Sequence, residues 1–165
     1  PVSGTCAWRL TTAAGRPVVG GAKRARIDAN RTQRIDTLNL KPWIERYTDR
    51  DLIVWIEFAE GGKVISRNVV TFVRPKHIEL QDPEIAFGVK RNKDATFTVA
   101  IKVRKPALWA WLELTGADAV FSDNWICLAP GKTVEIVVRP ANELSIETFL
   151  KQLKVRSLID TYEKG

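Results

Sequence analysis

The chain has 165 residues, 45% hydrophobic and 27% charged, proportions that belong to a folded globular protein and exclude a disordered or fibrous one. Its formal net charge of +7 invites a polyanion-binding reading, but the cations are scattered, the densest groups being Lys23, Arg24 and Arg26, then Lys102, Arg104 and Lys105. Such alternation is what the solvated side of half-buried strands requires, so nucleic acid is disfavoured as a partner. No apolar run approaches the roughly 18 residues of a membrane helix, and no membrane partner is expected.

In chain order, period-two patterning and β-branched residues dominate. The first expected strand surrounds Cys6 to Leu10, turns at Ala14-Gly15, and returns through Val18 and Val19. Arg34 to Leu40 alternates and predicts a further strand; Pro42 to Asp51 predicts a turn or two of helix. Leu52 to Phe58 and Val64 to Val73 form a hairpin pattern around Gly61-Gly62. After Gln81-Asp82-Pro83 come Ile85 to Lys90, a turn at Asn92-Lys93-Asp94, then Ala95 to Val103 and Leu108 to Leu114. Trp125 to Leu128 and Thr133 to Val138 flank the Pro130-Gly131-Lys132 turn, and Ser145 is placed to cap a short helix to Gln152. Short strands with Gly and Pro turns at this spacing indicate an all-β fold of sandwich type.

The chain also resembles itself. Displaced by 56 positions, Leu52, Trp55, Glu57, Val64, Ser66 and Asn68 fall on Leu108, Trp111, Glu113, Val120, Ser122 and Asn124. Upstream the displacement becomes 64, setting Thr32 on Thr96, Ile35 on Val99 and Lys41-Pro42 on Lys105-Pro106; downstream, Val73-Arg74-Pro75 echoes Val138-Arg139-Pro140. Changes of displacement are changes of loop length, which sandwiches tolerate. The expected architecture is two tandem immunoglobulin-like antiparallel β-sandwiches, residues 1–80 and 81–165. From the start at Pro1, with no Met in the chain, a processed or excised piece is expected, with something missing upstream.

Motif fragments that suggest catalysis do not assemble. Gly131-Lys132-Thr133 has Ile126 where a phosphate loop needs its first Gly, and Ser122-Asp123-Asn124 has no Ser-x-x-Lys to supply a nucleophile. His77 is the single histidine, and Cys6 and Cys127 have no metal spacing, so no catalytic triad, metal or cofactor is expected. Paired acids for glycoside hydrolysis, Glu57 with Asp123 or Glu113 with Asp118, are disfavoured because Glu57 and Glu113 occupy equivalent places in the repeat. Each is expected to make the same structural ion pair or hydrogen bond. Asn30-Arg31-Thr32 is a glycosylation sequon of low specificity.

One strand offers a binding surface. On Leu108 to Leu114, Trp109, Trp111 and Glu113 share one face and Leu108, Ala110, Leu112 and Leu114 the other. The first three form a candidate carbohydrate platform, because pyranose C–H faces pack on aromatic rings; the competing reading is core or domain-interface packing.

Pro106-Ala-Leu-Trp-Ala-Trp-Leu-Glu-Leu114, Phe121-Ser-Asp-Asn-Trp125, Leu128 with Pro130-Gly131, Asn68-Val-Val-Thr-Phe72 and Pro75-Lys-His-Ile-Glu-Leu80 together resemble the C-terminal region of β-mannosidases of glycoside hydrolase family 2. In that family two small immunoglobulin-like sandwiches follow a catalytic (β/α)8 barrel. The resemblance implies a parent enzyme that removes terminal β-linked mannose with retention, using two barrel glutamates that have no counterpart here. The chain would then be a non-catalytic accessory pair whose partner is that barrel, with mannosides as a further partner if the platform is real; a free-standing carbohydrate-binding or polyanion-binding module is the alternative.

Overall fold

The computed structural model describes residues 1–162, which divide into two compact units, Pro1–Glu79 and a second beginning at Leu80. The first unit contains β1 (Val2–Thr12), β2 (Pro17–Ile27), α1 (Lys41–Tyr47), β3 (Leu52–Glu60) and β4 (Lys63–Thr71). Among the described residues the strands make one antiparallel sheet, ordered β2-β1-β3-β4. Both hairpin turns use left-handed glycines, Gly15 at φ 86° and the Gly61-Gly62 pair at 55° and 83°, and in the Gly61-Gly62 pair both φ values are positive, as the right-handed twist of a two-residue hairpin demands. Leu10, Leu52 and Val54 form the buried centre of one sheet face, closed over by Trp43, Ile44 and Tyr47 of α1.

The expected strand over Arg34 to Leu40 does not form, and that segment has no regular secondary structure. Strands β1 and β3 each have a neighbour on both sides, so no inner edge is left for it to pair with. Its end serves another purpose: Leu40 packs on the core, Asn39 Oδ1 accepts from Lys41 N at 3.2 Å, and Pro42 opens α1.

The second unit is a sandwich of two antiparallel sheets. Strands β5 (Ala86–Arg91), β6 (Phe97–Lys102), β8 (Ala119–Phe121) and β10 (Thr133–Pro140) form one, in the order β5-β6-β10-β8. The other comprises β7 (Ala107–Leu114), β9 (Ile126–Leu128) and β11 (Leu153–Arg156), ordered β11-β7-β9. Phe97, Val99, Ile101, Ile136 and Val138 from the first sheet meet Ala110, Leu112, Leu128 and Leu153 from the second in one buried cluster. Helix α2 (Ile146–Gln152) contributes Phe149, whose ring stacks on Phe97 with centroids 3.9 Å apart. Ser145 caps α2, its side chain accepting from Thr148 N.

The repeat survives only in part. In the first unit Asn68 lies on β4 directly opposite Ile56. In the second, the matching strand β8 pairs with β10 in the other sheet, yet Asn124 still reaches the matching residue: its amide accepts from Leu112 N at 2.9 Å and donates to Leu112 O at 3.0 Å. The displacement of 64 has no such correspondence. Thr96 and Val99 border and enter β6 whereas Thr32 and Ile35 lie outside any strand; the downstream echo, displaced by 65, fails as well, since Val138–Pro140 is strand whereas Val73–Pro75 follows the end of β4.

Candidate functional site

Strand β7 is the middle strand of its sheet, and its alternation is as expected: Leu108, Ala110 and Leu112 are buried, while Trp109, Trp111 and Glu113 are half-buried. Trp109 nevertheless departs from regular strand geometry. The ladder with β9 slips between Ala107 and Ala110, and Trp109 holds a left-handed φ of 47°, the signature of a bulge that bends the strand. The Trp109 backbone amide is directed at Cys127, whose thiol is pushed up by burial against this smaller opposing pull.

Trp111 and Glu113 acquire partners that the sequence did not single out. Continuing the pairing of Ala110 with Ile126 sets Trp125 opposite Trp111, and the two indoles stack, centroids 4.9 Å apart and planes 18° apart. Trp125 is 62% exposed and, like Trp109, left-handed, at φ 59°. The Phe121-Ser-Asp-Asn-Trp125 segment holds it there. Ser122 exchanges hydrogen bonds with Val137, Asp123 Oδ1 accepts from Asn124 N, and the Asn124 clasp on Leu112 fixes the chain one residue before Trp125. A residue seated by its predecessor's side chain has no periodic signature; the adjacent Asn-Trp pair in a quoted motif was the available clue.

On the other flank, Arg156 of β11 lies opposite Trp111 and Lys154 opposite Glu113. Arg156 Nη1 reaches Glu113 Oε1 at 3.3 Å. One sheet face therefore carries a row of Arg156, Trp111 and Trp125, with Lys154 and Glu113 in the row beside it. Glu57, the repeat counterpart of Glu113, also pairs with an arginine, but with Arg67 of the adjoining hairpin strand at 3.4 Å. Trp55, the counterpart of Trp111, is only 6% exposed and donates its indole N–H to Thr11 Oγ1 at 2.9 Å.

The basic groups read as solvated faces. Lys23 and Arg26 of the edge strand β2 pair with Asp36 and Asp28, and Arg104 and Lys105 both pair with Glu84. Charge on an edge strand also discourages pairing with other chains. An open depression between β1 and β2, lined by Ser3, Gly4, Thr5, Arg24, Ala25 and Arg26, carries two hydroxyls but no carboxylate or histidine among these residues to activate them. Gly131 is left-handed in the turn between β9 and β10, which lie in different sheets, so Gly131-Lys132-Thr133 is a connection from one sheet to the other and neither a hairpin nor a phosphate loop. Among the described residues no three His, Cys, Asp or Glu side chains gather as a metal site, and no helix is long and apolar enough to cross a membrane.

Comparison with known proteins follows the same division of the chain. Residues 1–77 match a family of mannosidase Ig/CBM-like domains, and residues 80–161 match the Ig-fold domain family of mannosidases. No curated protein sequence matches the chain. Among solved structures it is similar to a β-D-mannosidase from Dictyoglomus thermophilum, with a TM-score of 0.66 and 15% identity over 94% of this chain and 18% of the enzyme. An exo-chitosanase from Amycolatopsis orientalis gives a TM-score of 0.54 at 12% identity, over 95% of this chain and 23% of that one. The chain thus spans about a fifth of the enzymes it matches, and it belongs, in two successive segments, to the immunoglobulin-like domain families of mannosidases.

Proposed function

We propose that this chain is the non-catalytic accessory pair of a larger glycoside hydrolase of the β-mannosidase type, one domain over residues 1–80 and the other over 81–165. In this reading the parent's barrel removes terminal β-linked mannose and the pair is seated against it. The observation that carries the proposal is the succession of two different mannosidase immunoglobulin-like families along one chain. The state of the carboxylates supports it. A glycosidase acid must hold its proton near neutrality, so its pKa is raised. Asp94 and Glu147 move the other way: the Thr96 hydroxyl lowers Asp94, and backbone and Ser145 hydrogen bonds at the helix start lower Glu147. Glu57 and Glu113 are engaged by arginines. The test is incubation of the isolated chain with p-nitrophenyl β-D-mannoside. No release of nitrophenol is expected, and release in proportion to the amount of chain would overturn the non-catalytic reading.

A second reading, the carbohydrate platform of Trp109, Trp111 and Glu113, draws support from the half-exposure of all three on one strand face.

A further inference from the structure

We infer that the row of Arg156, Trp111 and Trp125 is a subsite for one pyranose ring of a β-linked mannoside, with Trp125 as the ring that meets the sugar. This deepens the carbohydrate reading of the same face and moves its centre away from Trp109. Three independent features point to it. An indole that is 62% exposed presents a flat apolar surface to solvent, and its other side is backed by Trp111 at 4.9 Å, so the surface is rigid. Rigid aromatic planes bind pyranose C–H faces at little entropic cost. Trp125 is held at φ 59° by the Asn124 clasp, and a bulky residue kept left-handed on a surface costs conformational energy that packing of its own ring does not demand. Arg156 and Glu113, 50% and 39% exposed, lie on the same face with donor and acceptor atoms open to water, the polar pair that ring hydroxyls require.

The chemistry favours a neutral sugar over a polyanion. A polyanion site needs several uncommitted cations in line, whereas here Arg156 is neutralised by Glu113 and the remaining cation of the face is Lys154. Recognition rests on one ring and one ion pair, so affinity should be in the millimolar range, about that of a single stacked ring with two or three hydrogen bonds.

The test is isothermal titration and tryptophan fluorescence of the whole chain with β-1,4-mannobiose, with mannose and cellobiose as comparators. Mannobiose is expected to bind and to change the indole emission. Trp125→Ala should weaken binding at least about tenfold with an unchanged denaturation midpoint, and Arg156→Gln about threefold to tenfold. Val120→Ala, on the other sheet of the same unit, should change nothing. Absence of mannobiose binding overturns the subsite, as does binding that persists in Trp125→Ala. Salt-dependent retention on heparin that Arg156→Gln abolishes, without mannobiose binding, would assign the row to polyanions instead. None of these outcomes bears on hydrolysis, so the subsite and the non-catalytic reading fail separately.

Discussion

Trp55 and Trp111 occupy the same place in the internal repeat and live in different surroundings. Trp55 is buried and its indole N–H is satisfied by Thr11; Trp111 is half-exposed and covered by a second indole. The cause lies in the strand that follows. In the first unit β4 pairs along the whole Trp-bearing strand, from Ile53 to Glu60. In the second the chain leaves for the other sheet as β8, and the side chain of Asn124 makes the hydrogen bonds that a neighbouring backbone would have made. One change of sheet turns a core position into a surface one, which is why identical residues at one spacing do not guarantee identical roles.

Several substitutions would break or sharpen that contrast. The largest effect is expected at Phe149, fully buried and stacked on Phe97: Phe149→Ala should cost about 3–5 kcal/mol, read from chemical denaturation as loss of the second unit's signal. Next come two glycines that differ in what surrounds them. A Cβ on Gly21 would lie 2.9 Å from the Trp8 indole nitrogen, so Gly21→Val should cost about 1–3 kcal/mol, whereas Gly88 has open space and Gly88→Ala should be neutral or stabilising by up to about 1 kcal/mol. Thermal melts should show Gly21→Val lowered and Gly88→Ala unchanged or raised.

The two asparagines test the change of sheet itself. Asn124→Ala removes two hydrogen bonds to Leu112 and should cost about 1–3 kcal/mol, while Asn68→Ala, whose side chain accepts from the next amide, should stay within about 0.5 kcal/mol. Equal effects would mean that the clasp is not what seats Trp125.

The smallest effect concerns pH. Asp94 is held below the ordinary carboxylate range, first by the Thr96 hydroxyl, with Arg139 contributing. A lowered folded-state pKa stabilises above the unfolded value and loses that contribution as pH falls through the folded one, so the contribution is full above about pH 4 and is progressively lost below it. Asp94→Asn should accordingly narrow the gap between melting temperatures at pH 6 and pH 3.

Much of this fold was legible because turns and strand periods are local. Gly61-Gly62, Gly131 and the Ser145 cap declare themselves wherever the chain goes, since left-handed φ and helix starts demand particular residues. What escaped depended on distant partners. Leu153 to Arg156 alternates well enough, but it follows α2 without a turn residue and becomes a strand only because β7 offers an edge. Arg34 to Leu40 alternates equally well, yet it joins neither outer edge of the first sheet. At the candidate site, Trp111 and Glu113 were legible from period two, whereas Trp125 and Arg156 were not, because their places depend on register across three strands.

Two indoles stacked at 4.9 Å and inclined by 18° also have an optical consequence. Transition dipoles that close couple, and a coupled pair gives a bisignate circular-dichroism band that isolated tryptophans lack. That band reports the integrity of the second unit, because Trp111 lies on its β7 and Trp125 immediately precedes its β9, and it does so in a chain of six tryptophans without any label.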